Sequence, residues 1–92
     1  MTYELIEKEK LPELHFVPDE VLPDEESRSR RKSMLESAVA LGNDFKQKVK
    51  LIFGTTSGIK AVETTLWALT DSHVEIKAGV DIPLHSIYQV II

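Results

Sequence analysis

The second half of the chain alternates apolar and polar residues over short stretches. Residues 48–53 place Lys48, Lys50 and Ile52 on one face and three apolar residues on the other, which predicts a half-buried strand with its lysines outward. Residues 59–69 form a longer stretch rich in β-branched residues. Eleven residues are long for one strand of so small a domain, so we expect this strand to bend.

Three further short strands are predicted after the long one, at residues 74–78, 80–84 and 88–92. Ala78-Gly79 is expected to form the tight reversal between the first two, and Val74, Ile76 and Ala78 are expected to face inward. A single turn of tight helix, starting at His85, should lead into the last strand. Pro83 cannot donate to a β-ladder, so its strand is expected to lie at an edge or to end there.

The long strand presents two different faces. Alternation places the side chains of Val62, Thr64, Leu66 and Ala68 inward and that of Trp67 on the opposite face. Exposed aromatic residues of small β domains stack bases or anchor partner proteins. A bend in the strand, however, favours placing Trp67 in a second small core beneath the helix or the N-terminal segment.

An amphipathic helix precedes the strands. Asp24 can accept hydrogen bonds from the free amides of a helix N-terminus, and Gly42-Asn43 tolerates the left-handed conformation that ends a helix. Five apolar residues recur between them at helical spacing, namely Met34, Leu35, Ala38, Val39 and Leu41. The pattern predicts a helix over about residues 24–41 within a helical segment 24–43, followed by a β domain over 44–92.

Residues 1–23 form an acidic leader that is broken by Pro12, Pro18 and Pro23. Each proline pushes the residue before it toward an extended conformation. The leader also carries more apolar residues than a solvated linker needs, so we expect it to lie extended on the β domain or on a neighbouring copy. Tyr3 to Lys8 is a candidate for one short additional strand.

The order of these elements resembles that of known small barrels. A helix followed by four or five strands, with a bent second strand and a short helical turn before the last, resembles SH3-like barrels of the Sm-like kind. The small Rho-inhibitor family of bacterial proteins is similar too, through a helix ending Met34-Leu-Glu-Ser-Ala38, a strand, a glycine-containing turn and a late segment Ile82-Pro-Leu…Ile87. The resemblance covers roughly residues 30–92 and extends to small uncharacterised bacterial proteins. It implies a mainly β fold with one helix, a small SH3-like/Sm-like barrel of about five strands preceded by an α-helix.

The resemblance does not extend to the nucleotide pocket of Sm proteins. Sm proteins that bind RNA use an aspartate and an asparagine between their second and third strands, and a glycine followed by a basic residue near the fourth. Here Thr70-Asp-Ser-His73 contains no asparagine, and Ala78-Gly-Val80 contains no basic residue. We therefore expect the usual Sm pocket to be absent.

The net charge of −4 conceals an uneven distribution. Residues 1–26 carry nine acidic residues against two lysines (net −7), whereas residues 27–92 carry nine basic residues against six acidic ones (net +3). Absence of cysteine excludes disulfides and thiolate chemistry, and it favours a reducing cytoplasm. We see neither a signal peptide nor an apolar run of membrane-spanning length, so the expected protein is soluble and cytoplasmic, without a membrane partner.

No residue pattern points to catalysis. Gly54-Thr-Thr-Ser-Gly58 lacks the lysine and hydroxyl that must directly follow the last glycine of a phosphate-binding loop. His15, His73 and His85 are far apart and lack the spacing of metal ligands. A serine, histidine and aspartate triad has no nucleophile elbow to support it. We predict no catalytic residue, no metal and no cofactor, and therefore no enzyme.

Two hypotheses remain for function. The first is a non-enzymatic interaction module that binds protein partners or itself, with Trp67, Tyr88 and Ile92 as possible contacts. The alternative is an RNA- or DNA-binding protein whose helix and first strand carry basic residues that could follow a phosphate backbone. Those residues are Arg28, Arg30, Arg31, Lys32, Lys46, Lys48 and Lys50. Salt-dependent binding to mixed RNA would separate the two hypotheses.

Overall fold

The computed structural model describes residues 1–77 and 79–92, so the two predictions made for Ala78 fall outside the described residues. The strands are β1 (Glu4–Ile6), β2 (Val49–Thr55), β3 (Gly58–Thr64), β4 (Leu66–Leu69), β5 (His73–Ile76), β6 (Val80–Pro83) and β7 (Ile87–Ile91). One long helix, α1, spans Glu25–Phe45, and 3-10 helices span Lys8–Glu13 and Leu84–Ser86. The predicted class, mainly β with one helix, is confirmed.

The strands form two sheets, with orders β1-β3-β2-β7 and β4-β5-β6. Strand β1 runs parallel to β3, and the other pairs are antiparallel. The predicted long strand does bend, because β3 and β4 lie on either side of Thr65 and belong to different sheets. Strand pairing across residues 1–77 and 79–92 leaves the two sheets separate, so a closed barrel is not confirmed.

Helix α1 begins where its sequence predicts and ends later. Asp24 caps it by accepting a hydrogen bond from the Ser27 amide at 3.1 Å. The left-handed residue that ends it is Lys46 (φ 54°), not Gly42 or Asn43. Gly42 serves a different purpose, since a Cβ there would lie 2.2 Å from the carbonyl oxygen of Leu66. The glycine signal therefore marks a close approach between α1 and β4 rather than the end of the helix.

The structure tests three predictions about which strand residues face the core. Val74 and Ile76 are buried as predicted. Ile52 was predicted to face outward and is buried as well, because the leader lies over that face: a Cβ at Gly54, two residues along β2, would be 3.2 Å from Val17. Ala68 was predicted to face inward and is exposed, since the pairing of β4 with β5 is irregular between Leu66 and Ala68.

The leader is an integral layer of this fold. Strand β1 adds to the edge of β3, and Leu11 is buried in the main core. Further on, Phe16 forms an isolated bridge with Thr55, and its ring packs 5.6 Å from the ring of Phe53. The prediction of an extended leader is wrong for Lys8–Glu13, which forms a 3-10 helix with a proline inside it. None of the helices in the described residues is both long and apolar enough to cross a membrane.

Candidate interaction surfaces

The structure divides the seven predicted nucleic-acid contacts into two groups that lie far apart. Arg28, Arg30, Arg31 and Lys32 are in the first third of α1, whereas Lys46 is just beyond its end. Lys46 follows Lys32 by fourteen positions, which corresponds to about 21 Å along the helix axis. The basic residues therefore do not form one continuous patch.

Arg31 is engaged within the protein. Its guanidinium donates to both carboxylate oxygens of Glu20 at 2.7 Å and to the carbonyl of Ile87 at 3.0 Å. Its side chain is only 9% exposed. These contacts join the leader, α1 and the start of β7 at one point. The charge of Arg31 is therefore used within the protein, where it stabilises the fold.

The Glu20 carboxylate is strongly stabilised in its charged form. The hydrogen bonds from Arg31 lower the pKa of Glu20 from its usual 4.5 to about 2, although partial burial opposes the shift. The Leu22 amide donates a further hydrogen bond to the carboxylate at 2.9 Å. Glu20 is thus ionised throughout the physiological range, and it keeps the leader attached to α1.

The remaining basic residues of the first group differ in availability. Arg28 donates to the backbone carbonyls of Leu22 and Pro23, at 3.0 and 3.3 Å, and so also holds the leader. Arg30 pairs with Glu26 at 3.1 Å on an exposed helix face. Lys32 is exposed and forms no ion pair with the described residues.

The second group is more open. Lys46 and Lys48 are exposed and are in no ion pair with any described residue. Lys50 is only partly exposed and donates to the hydroxyl of Tyr3 at 3.0 Å, which raises the pKa of the Lys50 ammonium. Two of the three predicted lysines on this side are therefore free to meet an anionic partner.

Trp67 is at the surface. Its side chain is 52% exposed, so the expectation of a second small core around it is wrong. Alternation places Trp67 on the face opposite buried Leu66, and the bend at Thr65 does not turn the indole inward. Lys77 and Glu75 of the neighbouring chain segment line a shallow depression of about 240 Å³ beside the indole.

Tyr88 lies near the start of β7 and Ile92 directly follows its last residue, so both belong to the edge of the other sheet. Strand β7 pairs with β2 on one side and has no second strand among the described residues. Ile91 and Ile92 are 40% and 47% exposed, and Tyr88 is half-buried. A groove of about 360 Å³ lies where β7 meets α1 and the leader. Its lining consists of Leu22, Ser27, Arg30, Arg31, Met34, Tyr88, Gln89 and Val90.

The histidines lie apart and take ordinary structural roles. His85 Nε2 lies 2.8 Å from the Val17 carbonyl, and His73 Nδ1 lies 2.8 Å from the Ser72 hydroxyl. Among residues 1–77 and 79–92, no group of three or more histidine or carboxylate side chains is arranged to hold a metal ion.

Sequence reasoning missed the part that the leader plays in these surfaces. Glu20 and Leu22 entered the sequence analysis only through the acidic charge and the apolar content of the leader, yet Glu20 neutralises Arg31 and Leu22 lines the groove beside β7. The available signal was weak: an apolar residue two positions after an acid within a proline-broken segment.

Comparisons with protein-family models, with curated proteins and with solved structures found no match to this chain.

Proposed function

We propose that this chain is a non-enzymatic interaction module that binds an extended protein segment along the free edge of β7. The observation that carries the proposal is the groove of about 360 Å³ between that edge and α1. An added strand would hydrogen-bond to the free main chain of β7, which gives affinity, while side chains in the groove give specificity.

The composition of β7 supports this proposal. Natural proteins usually protect an edge strand with a charged residue or a proline, because a free edge invites pairing with other chains. Residues 86–92 contain neither, and Ile91 and Ile92 are substantially exposed. Met34 and Leu22 provide apolar contacts on the opposite wall of the groove. This edge is therefore suited to a partner strand.

For the scaffold, we propose an open form of the SH3-like/Sm-like barrel. Three features support this: a helix precedes the strands, the bend at Thr65 carries one stretch of chain from the first sheet into the second, and a 3-10 helix directly precedes β7. In such a barrel β6 and β7 would approach each other across the Leu84–Ser86 helix. In the open form the two sheets stay separate, so β7 is left as an edge strand of the first sheet.

A labelled peptide tests the function. The peptide carries residues 86–92 with a fluorophore and one added lysine for solubility, and its anisotropy is measured at low protein concentration. We expect saturable binding of the peptide to the unaltered protein. The substitution Ile91→Lys in the protein should weaken the affinity for the peptide at least tenfold, because a charge would enter an apolar contact. Leu5→Lys is the matched control, since Leu5 is exposed on β1 at the opposite edge of the same sheet. Absence of saturable binding, or equal loss in both variants, would refute the proposal.

A specific cluster favours nucleic acid as the second candidate function. The Thr65 hydroxyl lies 3.5 Å from the Lys46 carbonyl, and the Thr65 carbonyl accepts from the Lys77 amide at 2.9 Å. The main chains of both lysines thus contact Thr65, two positions before Trp67, and Lys77 also lines the depression beside the indole. An exposed indole beside free lysines can stack a base while the ammonium groups meet phosphates. Glu75 borders the same depression and limits the net positive charge.

Salt dependence tests this second candidate. The probe is mixed-sequence single-stranded RNA, titrated against the full chain because Leu11 makes the leader part of the core. Replacing Lys46, Lys48 and Lys77 together by glutamine should reduce the slope of log affinity against log salt by about 2. Lys60→Gln is the control, since Lys60 is already paired with Glu4. A slope near zero for the unaltered chain would eliminate nucleic-acid binding.

A further inference from the structure

We infer that the segment which fills the β7 groove is β7 of a second copy of this chain, paired antiparallel across a two-fold axis. This inference rests on the proposed function, because it names the partner of the same edge. It makes the protein a symmetric dimer in which each copy supplies both a strand and a groove. Two-fold dimers with identical contacting surfaces are the commonest oligomers of soluble proteins.

The charges around the groove favour a neutral occupant. Arg30 and Arg31 are the only charged residues of the lining, and each is already paired, with Glu26 and Glu20 respectively. An acidic partner would have to compete with these carboxylates. A basic partner would meet two guanidinium groups. An uncharged apolar strand faces neither cost, and residues 86–92 of the chain have that composition.

The apolar surface near the groove also favours pairing between copies. Ile91 and Ile92 are two of the six large hydrophobic residues that remain exposed among the described residues, and they are adjacent at one end of one edge strand. In an antiparallel pair these two residues of each copy would lie beside β7 of the other. Both exposed pairs and both free strand edges would thereby be covered in a single contact.

The contact of Arg31 with β7 sets the register. The carbonyl of Ile87 already accepts a hydrogen bond from Arg31 at 3.0 Å, so the start of β7 is occupied. Pairing must then use residues 88–92, and its centre is Val90. Antiparallel pairing about that residue places Gln89 of one copy opposite Ile91 of the other, with both side chains on the exposed face.

Molar mass in solution tests the dimer. Light scattering coupled to size exclusion, over a concentration series, should give twice the 10.4 kDa of one chain at the upper end. Ile91→Lys should return the mass to that of one chain, whereas Leu5→Lys should leave the dimer unchanged. Circular dichroism of each variant checks that it is folded. If Ile91→Lys does not fold, Ile92→Lys replaces it. A single-chain mass for the unaltered protein at every concentration would overturn the inference.

A crosslink tests the register independently. The chain has no cysteine, so Gln89→Cys and Ile91→Cys introduced together create the sole thiols. Mild oxidation should convert most of this double variant into a covalent dimer, while Leu5→Cys should crosslink far less. Equal crosslinking of the two would refute the pairing of β7 with itself.

The peptide experiment distinguishes failure of this inference from failure of the proposed function. If the labelled peptide binds the groove while the chain keeps the mass of one copy, β7 accepts strands from another protein and the dimer is wrong. If the peptide does not bind and the mass is that of one copy, both proposals are wrong. Peptide binding together with a doubled mass that Ile91→Lys abolishes supports both.

Discussion

Replacing Glu20 by glutamine isolates the electrostatic part of the contact between leader and helix. Glutamine keeps the shape of the side chain but removes the charge that neutralises Arg31. The Arg31 side chain is 9% exposed, so its cation would be left nearly buried with only neutral acceptors, the Ile87 carbonyl and the amide oxygen of the introduced side chain. Loss of one partner from a fully buried pair costs about 3–5 kcal/mol.

The expected cost here is smaller because Glu20 is 27% exposed and partly screened by water. Lowering of the Glu20 pKa from 4.5 to about 2 sets an upper limit of about 3.4 kcal/mol on the stabilisation from ionisation. Allowing for screening, we expect Glu20→Gln to lower the free energy of unfolding by about 1.5–2.5 kcal/mol at pH 7.

The pH dependence has a definite sign. Because folding lowers the pKa of Glu20, its contribution is complete above about pH 4.5 and is lost as the pH falls toward 2. The difference in unfolding free energy between the unaltered chain and Glu20→Gln should therefore be largest at pH 7 and clearly smaller at pH 3. Other carboxylates titrate in both proteins, so they cancel in the difference.

Urea unfolding at both pH values measures this difference, with Glu26→Gln as a matched control. Glu26 also pairs with an arginine, at 3.1 Å, but the two side chains are 81% and 68% exposed. Such a surface pair contributes about 0.5 kcal/mol or less. The reasoning fails if Glu20→Gln costs no more than Glu26→Gln, or if the cost is unchanged at pH 3.

Three further perturbations test the packing. Gly42→Ala should destabilise the fold by about 2–4 kcal/mol in urea unfolding, although alanine favours helices, because its Cβ would lie 2.2 Å from a backbone oxygen; an unchanged midpoint would contradict this. Leu11→Ala should cost about 2–4 kcal/mol, whereas Leu5→Ala should cost under about 0.5, since only Leu11 is buried; similar losses would place the leader outside the core. Tyr3→Phe should return the raised pKa of Lys50 toward 10.5 in an NMR titration, and no change would show that the hydroxyl is not responsible.

Much of the secondary structure followed from local sequence. The side chain of Asp24 starts α1 because N-capping needs only residues three positions apart. Alternation and turn residues located the strands of residues 49–91, and the length of residues 59–69 indicated a bend, which the structure places at Thr65. These are interactions within a few residues, so one sequence contains the information that they require.

The surfaces depended on contacts between distant segments. Arg31 was one of the possible contacts of the alternative nucleic-acid function, yet its carboxylate partner lies eleven residues earlier and its carbonyl partner fifty-six residues later. Gly42 was interpreted as a helix end because nothing local reveals that β4 will approach it. Alternation failed at Ala68, which is exposed, because the irregular pairing there involves two strands at once. The sequence by itself determined which segments become helix and strand. Only the tertiary structure decided which cations are neutralised, which aromatic is exposed and which strand edge is free, because each depends on what a distant part of the chain brings alongside.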